Sequence, residues 1–153
     1  MKKMRPDEIL SAVTTAFQEV KPEAGTNSVV IPKDALLEIA QYLKKHPFSF
    51  DNLHCITAID RKEKIELIYT LYSIPEHHSI TLKIYLAFED LNVASLTPVW
   101  KSANWLEREV YDLFGVIFLD HPDLRRILNP YDWKEYPLRK GYSSPEFIAK
   151  PRL

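Results

Sequence analysis

Glu107, Glu109 and Asp112 are the side chains whose type and spacing most invite chemistry in this sequence. Paired carboxylates can divide general acid and general base work when their surroundings push their proton affinities apart. Here all three share one helical run with Arg108, and no glycine-rich loop lies nearby to shape a pocket. An ion-pair network, internal or at an interface, is therefore preferred to catalysis. His54, His77, His78 and His121 could ligate a metal, but no H-x-x-x-H or E-x-x-H pattern stands at helical spacing. His77 and His78 are adjacent at a hairpin tip, where a solvated turn is expected, and His46 before Pro47 marks a helix end. Arg125, Arg126, Arg139 and Lys140 could hold phosphate or carboxylate groups. Gly25, Gly115 and Gly141 are isolated, so a nucleotide would lack its usual backbone cradle. Pairing with a neighbour's acids suits these cations better. Cys55 is the single cysteine, which excludes an internal disulfide and a cluster built on the chain's own thiolates. It is expected to be a small buried hydrophobe.

The elements that must position these groups can be read from periodicity. Asp7 is placed to cap a first helix with Ile9, Val13, Phe17 and Val20 on one stripe, broken by Lys21-Pro22-Glu23-Ala24-Gly25. Ser28 to Ile31 is a short strand. Pro32 suits the first turn of a second helix that turns Leu36, Ile39, Ala40 and Leu43 inward and ends at His46-Pro47. Leu53 to Ile59 is apolar on both faces and reads as a central strand. Ile65 to Ile74 and Thr81 to Leu86 complete an antiparallel meander joined by short turns. A third helix comes next, with Asn104 and Glu107 at capping-box spacing and Gly115 at its C-terminal end. Leu106, Val110 and Leu113 form one stripe there, and Arg108 and Asp112 can pair four residues apart. The order predicts a two-layer α+β domain with helices packed on a mixed or antiparallel sheet.

Composition bounds the function. A chain of 153 residues fits one domain. A net charge of −1 argues against nucleic-acid binding. Apolar runs are too short for a membrane span, and no apolar segment comes after the basic start Met1-Lys2-Lys3 as a signal peptide requires. A cytosolic protein is expected, or one held at a membrane through partners. Residues 1–120 carry 13 Lys/Arg against 17 Asp/Glu, whereas residues 121–153 carry 7 against 4. That second segment also holds five of the eleven prolines and Tyr131, Trp133, Tyr136, Tyr142 and Phe147. Prolines forbid long helices and central strands there, yet disordered tails are poor in aromatics. Residues 1–120 are thus expected to form the core, and residues 121–153 an extended tail of the same domain, preferably on a partner's surface.

Glu107-Arg108-Glu109 with Asp112, Phe114 and Gly115, then His121-Pro122-Asp123-Leu124-Arg125-Arg126, then Asp132-Trp133 leading to Pro137-Leu138-Arg139-Lys140, closely resemble the signature of the 30 kDa subunit (C subunit) family of respiratory complex I, the proton-pumping NADH:quinone oxidoreductase. The preceding helix, strand, helix and meander resemble that family's domain as well, so the likeness covers nearly the whole chain. It departs where many relatives have Gly-His before Pro-Leu-Arg-Lys and an acid after it; here Glu135-Tyr136 precedes and Gly141 comes after. The resemblance implies a peripheral-arm subunit with no catalytic residue, cofactor or metal of its own. Its partners would be the large D subunit, the B subunit and other peripheral-arm subunits at the cytoplasmic face of the membrane. Iron–sulfur clusters and FMN would belong to neighbours, with NADH and quinone as the complex's substrates. On matching positions it implies interface roles only: the helix with Glu107, Arg108, Glu109 and Asp112 would order the strand and loop after it, and Arg125, Arg126, Arg139 and Lys140 would bind the partner. An equivalent subunit of a membrane-bound hydrogenase or related dehydrogenase remains a competing reading. So do a free-standing enzyme using Glu107 or Glu109 with a histidine, and a binding module outside any redox complex.

Overall fold

The computed structural model describes residues 4–143. The elements run α1 (Pro6–Ala16), β1 (Lys21–Pro22), β2 (Ser28–Val30), a short 3₁₀ turn (Lys33–Ala35), α2 (Leu36–Lys44), β3 (Asn52–Asp60), β4 (Lys64–Ser73), β5 (His78–Ala87), β6 (Asn92–Ala94), α3 (Ala103–Phe114) and β7 (Ile117–Leu119). The main sheet is ordered β1-β2-β5-β4-β3, and β6 and β7 form a small parallel pair. The meander β3-β4-β5 is antiparallel, while β2 joins β5 in parallel, so the sheet is mixed. The α+β class is as expected.

Strand alternation decides which side is core. Ile65, Leu67, Tyr69 and Leu71 of β4 are fully buried, and so are Ile80, Leu82 and Ile84 of β5 opposite them. Ile9 and Val13 of α1 and Leu36, Ile39, Ala40 and Leu43 of α2 close the same core without exposure. Each Val, Leu or Ile side chain among them, withdrawn from water, contributes about 1.5–3 kcal/mol. The outer sheet face is held by charge: Glu66, itself buried, takes Arg61 at 2.5 Å and Lys83 at 3.8 Å.

Several expectations are corrected. The central strands are β4 and β5; β3 lies at the sheet edge, because β2 inserts beside β5 across a long stretch of chain. Arg5, not Asp7, precedes α1, and its amide donates to the Glu8 carboxylate at 2.8 Å. Cys55 is half-buried rather than buried, since β3 shifts register between Leu53 and Cys55 and turns it outward. His78 does not lie in a solvated turn: it is buried, packed at a tilt against Phe50 with ring centres 4.7 Å apart, and its Nε2 lies 2.7 Å from the Phe48 carbonyl. The strand β6 carries no periodic signal and went unforeseen.

Gly115 ends α3 in the left-handed region at φ 75°, and its amide donates back to the Tyr111 carbonyl. A Cβ there would lie 2.5 Å from the Tyr136 ring and 2.6 Å from the Arg139 guanidinium. The glycine therefore serves the turn and the close approach of the later chain together. Gly115→Ala is expected to cost at least about 1–3 kcal/mol in urea unfolding of the full chain, from the strained backbone alone. A change below a few tenths would show that neither constraint matters.

Candidate functional site

The helix α3 buries charge inside the chain's own fold. Glu107 and Asp112 are 0 % exposed and Arg108 is 5 % exposed. Of the internal and interface networks that the sequence allowed, the internal one is formed: this chain supplies the partners. A helix of mixed polarity can hold such groups inward when returning loops saturate their hydrogen-bonding capacity.

Glu107 faces the segment after β6. It accepts the Leu96 amide at 2.6 Å and the Ser95 hydroxyl at 2.7 Å, and the Ser95 oxygen lies 2.8 Å from Thr97 Oγ1. Glu107 therefore does not close a capping box with Asn104. The helix starts at Ala103, which puts Asn104 already inside the first turn. His121 closes the other side with its side chain fully buried. Its Nδ1 accepts the Asp123 amide at 3.0 Å, so its proton sits on Nε2, which faces the Asn104 carbonyl at 3.1 Å and lies 3.8 Å from Glu107. Burial pushes the Glu107 carboxyl up to about 7, against the opposing pull of the Leu96 amide and the Ser95 hydroxyl. The buried Tyr69 hydroxyl, unpartnered among the described residues, is raised well above its ordinary range by burial and then by the Glu107 charge.

Asp112 faces the loop after β7. One oxygen accepts the Ile127, Leu128 and Asn129 amides at 3.0, 2.7 and 2.9 Å. The other accepts Arg126 Nη1 at 2.7 Å and Asn129 Nδ2 at 2.9 Å. Burial alone would raise this carboxyl, but the Asn129 side chain and amide, Arg126 and the Leu128 amide together hold it far below the ordinary carboxylate range. Arg126 also donates to the Asp112 and Glu135 carbonyls, and its side chain is 8 % exposed. Arg108 does not pair with Asp112. Its Nε donates to the Arg125 carbonyl at 3.1 Å, and its guanidinium stacks on Trp105 at 4.8 Å.

The remaining signature residues divide by position. Glu109 is exposed, Phe114 is buried, and Pro122 is exposed in the turn after His121. Arg125 is exposed and pairs with Asp123 at 2.9 Å. Leu138 donates its amide to the Leu113 carbonyl at 3.1 Å, beside the half-buried Pro137. Arg139 donates to the Phe114 carbonyl at 2.7 Å, and the Lys140 amide donates to Asp60 at 2.8 Å. Through residue 143 the tail thus lies along its own domain, because the C-terminal carbonyls of α3 and the buried Asp112 and Asp60 offer it acceptors. The rest of the expected tail, with Pro145, Phe147 and Pro151, lies outside the described residues. Ser95, Asn129 and Asp60 were not foreseen as members of this network. Only Asp60 carried a signal, standing before a charged turn where its side chain caps the Lys62 amide at 2.7 Å.

Two buried carboxylates on one helix, each saturated by a different loop, define an α+β domain stapled by its own charges. Comparison with known proteins makes the class specific. Residues 29–147 match the family described as the respiratory-chain NADH dehydrogenase, 30 Kd subunit, and the chain belongs to that family. It is 41 % identical over 128 residues to the NADH-quinone oxidoreductase C subunit of Trichlorobacter lovleyi, covering 81 % of this chain and 78 % of that one. It is 38 % identical over 137 residues to the C/D subunit of the Escherichia coli enzyme, covering 83 % of this chain but only 23 % of that longer protein. Among solved structures, a trypsin-resistant fragment of Nqo5 superposes with a TM-score of 0.68 at 30 % identity, over 79 % of this chain and all of that one. The archaeal membrane-bound sulfane sulfur reductase shares the fold at a TM-score of 0.77 and 23 % identity, over 90 % of this chain and 85 % of that chain.

The two acids give opposite pH responses. Glu107 binds its proton more tightly folded than unfolded, so its contribution is complete below its unfolded value near 4.5 and is lost as pH rises through about 7. Asp112 is depressed, so its contribution is complete above its unfolded value near 3.8 and is lost below it. Thermal unfolding should therefore peak near pH 5 and decline toward pH 8, by an amount on the order of 3 kcal/mol, and Glu107→Gln should flatten the decline. Asp112→Ala should cost about 3–5 kcal/mol, because it leaves Arg126 buried without its mate. It should also open the Arg125-Arg126 bonds to trypsin. Unchanged proteolysis would contradict the staple.

Proposed function

We propose that this chain is a non-catalytic peripheral subunit of a proton-translocating NADH:quinone oxidoreductase, bound to the large D subunit beside the B subunit at the cytoplasmic face of the membrane. The observation that carries the non-catalytic reading is saturation. Every oxygen of Asp112 and Glu107 is committed to a donor of the chain itself, and both groups are sealed from solvent. A catalytic carboxylate needs reach to a substrate proton, and these have none. Subunit names among the relatives supply the complex, and the relative that carries C and D in one chain favours D as the neighbour. With one cysteine in the chain, clusters held by four thiolates belong in this reading to neighbouring subunits, and NADH and quinone are substrates of the whole assembly. The role is mechanical: a rigid body that holds the quinone module in place.

Arg126→Ala tests this reading in the native membrane. It removes the cation that neutralises Asp112 and loosens the loop through residue 129. Assembled complex on native gels should fall severalfold, while turnover per assembled complex stays within about twofold. Normal assembly with abolished turnover would overturn the assignment.

A further inference from the structure

The cations of the C-terminal region fall into two sets. Arg125 and Arg126 are satisfied by Asp123 and Asp112. Lys134, Arg139 and Lys140 have no carboxylate partner among the described residues, nor does Lys62 from the turn between β3 and β4. These four unpaired cations line one open cavity of about 620 Å³. Of the two acids in its wall, Asp60 accepts the Lys62 and Lys140 amides, is 5 % exposed and feels the nearby charges of Lys140 and Arg139, so with Glu135 it leaves the four cations in surplus by two.

The cavity is built in advance. Arg139 is fixed by the Phe114 carbonyl and stacks on Tyr136 at 4.6 Å and Phe88 at 5.7 Å, an approach that Gly115 permits. A guanidinium held against rings presents its remaining N–H groups in a fixed direction, which suits a planar carboxylate. Lys134 and Tyr136 also wall a second cavity of about 390 Å³, so the cationic floor continues toward Tyr131, which is 88 % exposed. Arg139 among Phe88, Tyr136 and Tyr131 has the arginine-and-aromatic composition enriched at protein-binding surfaces, and the lysines stand at its charged rim.

We propose that this cavity is the docking site for an acidic segment of the D subunit, one that sets Asp or Glu side chains against Lys134, Arg139 and Lys140. The proposal rests on the reading of this chain as a D-binding subunit and adds the contact surface. Charge favours a partner over the chain's own end: residues 144–153 carry one acid, Glu146, against Lys150 and Arg152.

The test uses the full chain and the purified D subunit of the same organism, with affinity measured over a range of salt concentrations. Lys134→Glu with Lys140→Glu exchanges two exposed side chains and should weaken binding at least tenfold at low salt and reduce the salt dependence. Lys101→Glu, an exposed exchange outside both cavities, should change affinity less than twofold. Circular dichroism and melting of each variant verify that the fold is retained. Binding by the wild type that the lysine exchanges leave intact overturns the docking site while leaving the subunit assignment standing. No binding by the wild type overturns both. Loss of binding on removal of residues 144–153, with the lysine exchanges silent, also overturns the site and assigns the contact to that segment. Inorganic phosphate at millimolar concentration that raises the melting temperature only when Lys134 and Lys140 are present, with D binding unaffected, assigns the cavity to a small anion instead and overturns the proposal.

Discussion

Asp112 sits fully buried near the end of a helix, where burial and the negative end of the helix dipole both oppose its charge. It survives there because one oxygen collects three consecutive backbone amides and the other collects a guanidinium and a side-chain amide. The consequence runs in both directions. The carboxylate is tolerable only if the loop of residues 126–129 wraps over it, and the loop has its shape only because the carboxylate gathers its amides. Arg126 extends the same bond to the Glu135 carbonyl, and Leu138 and Arg139 continue along the last carbonyls of α3. The order of the loop from Arg126 to Asn129 therefore traces back to one charge, and the end of α3 holds the chain beyond it.

Glu107, less than two turns earlier on the same helix, shows the outcome with fewer donors. It also accepts a backbone amide and a hydroxyl, but no cation reaches it within hydrogen-bond distance, and the neighbouring His121 gives its proton to Asn104 instead. Burial then wins and the group rises toward neutrality, whereas Asp112, with five donors, is driven the other way. The helix thus fastens the segment after β6 with one acid and the tail with the other. Both side chains are closed to solvent, but Glu107 lies deeper in the protein than Asp112, so stronger desolvation and a smaller supply of donors act together.

Much of this architecture was legible because it is periodic. The inward stripe of α2, the meander and the Gly115 terminator all arise from local patterns, and each is where the sequence puts it. The failures share a cause. The pairing of Arg108 with Asp112 and the box formed by Asn104 and Glu107 are both sound on an isolated helix, where only residues three or four apart can meet. Here the competitors are loop amides and carbonyls from residues 95–97 and 123–129, and backbone groups carry no mark of their future partners in the sequence. The edge position of β3 was hidden for the same reason. It depends on β2 pairing with β5 across some fifty residues of chain, a contact that no local window contains. The carboxylates around residue 108 pointed to the right segment, and of the internal and interface networks left open there the internal one is formed.

That internal saturation changes how the basic tail should be understood. A surplus of positive charge after residue 120 invites the idea that every arginine there reaches outward. The fold instead spends Arg126 on its own buried acid, and Arg125 on a neighbouring surface acid. The remaining cations are not scattered. Lys62 comes from a hairpin turn, Lys134, Arg139 and Lys140 from the tail, and they converge because the Lys140 amide is tied to Asp60 and the Arg139 side chain to the end of α3. Like charges brought together raise the energy of the isolated subunit, and a fold that fixes them with hydrogen bonds and aromatic stacking maintains that cost continuously. Such a cost is offset when an anion arrives, and the cations need no reorganisation to receive it. The same bonds that lay the tail on its own domain thereby shape the surface it presents.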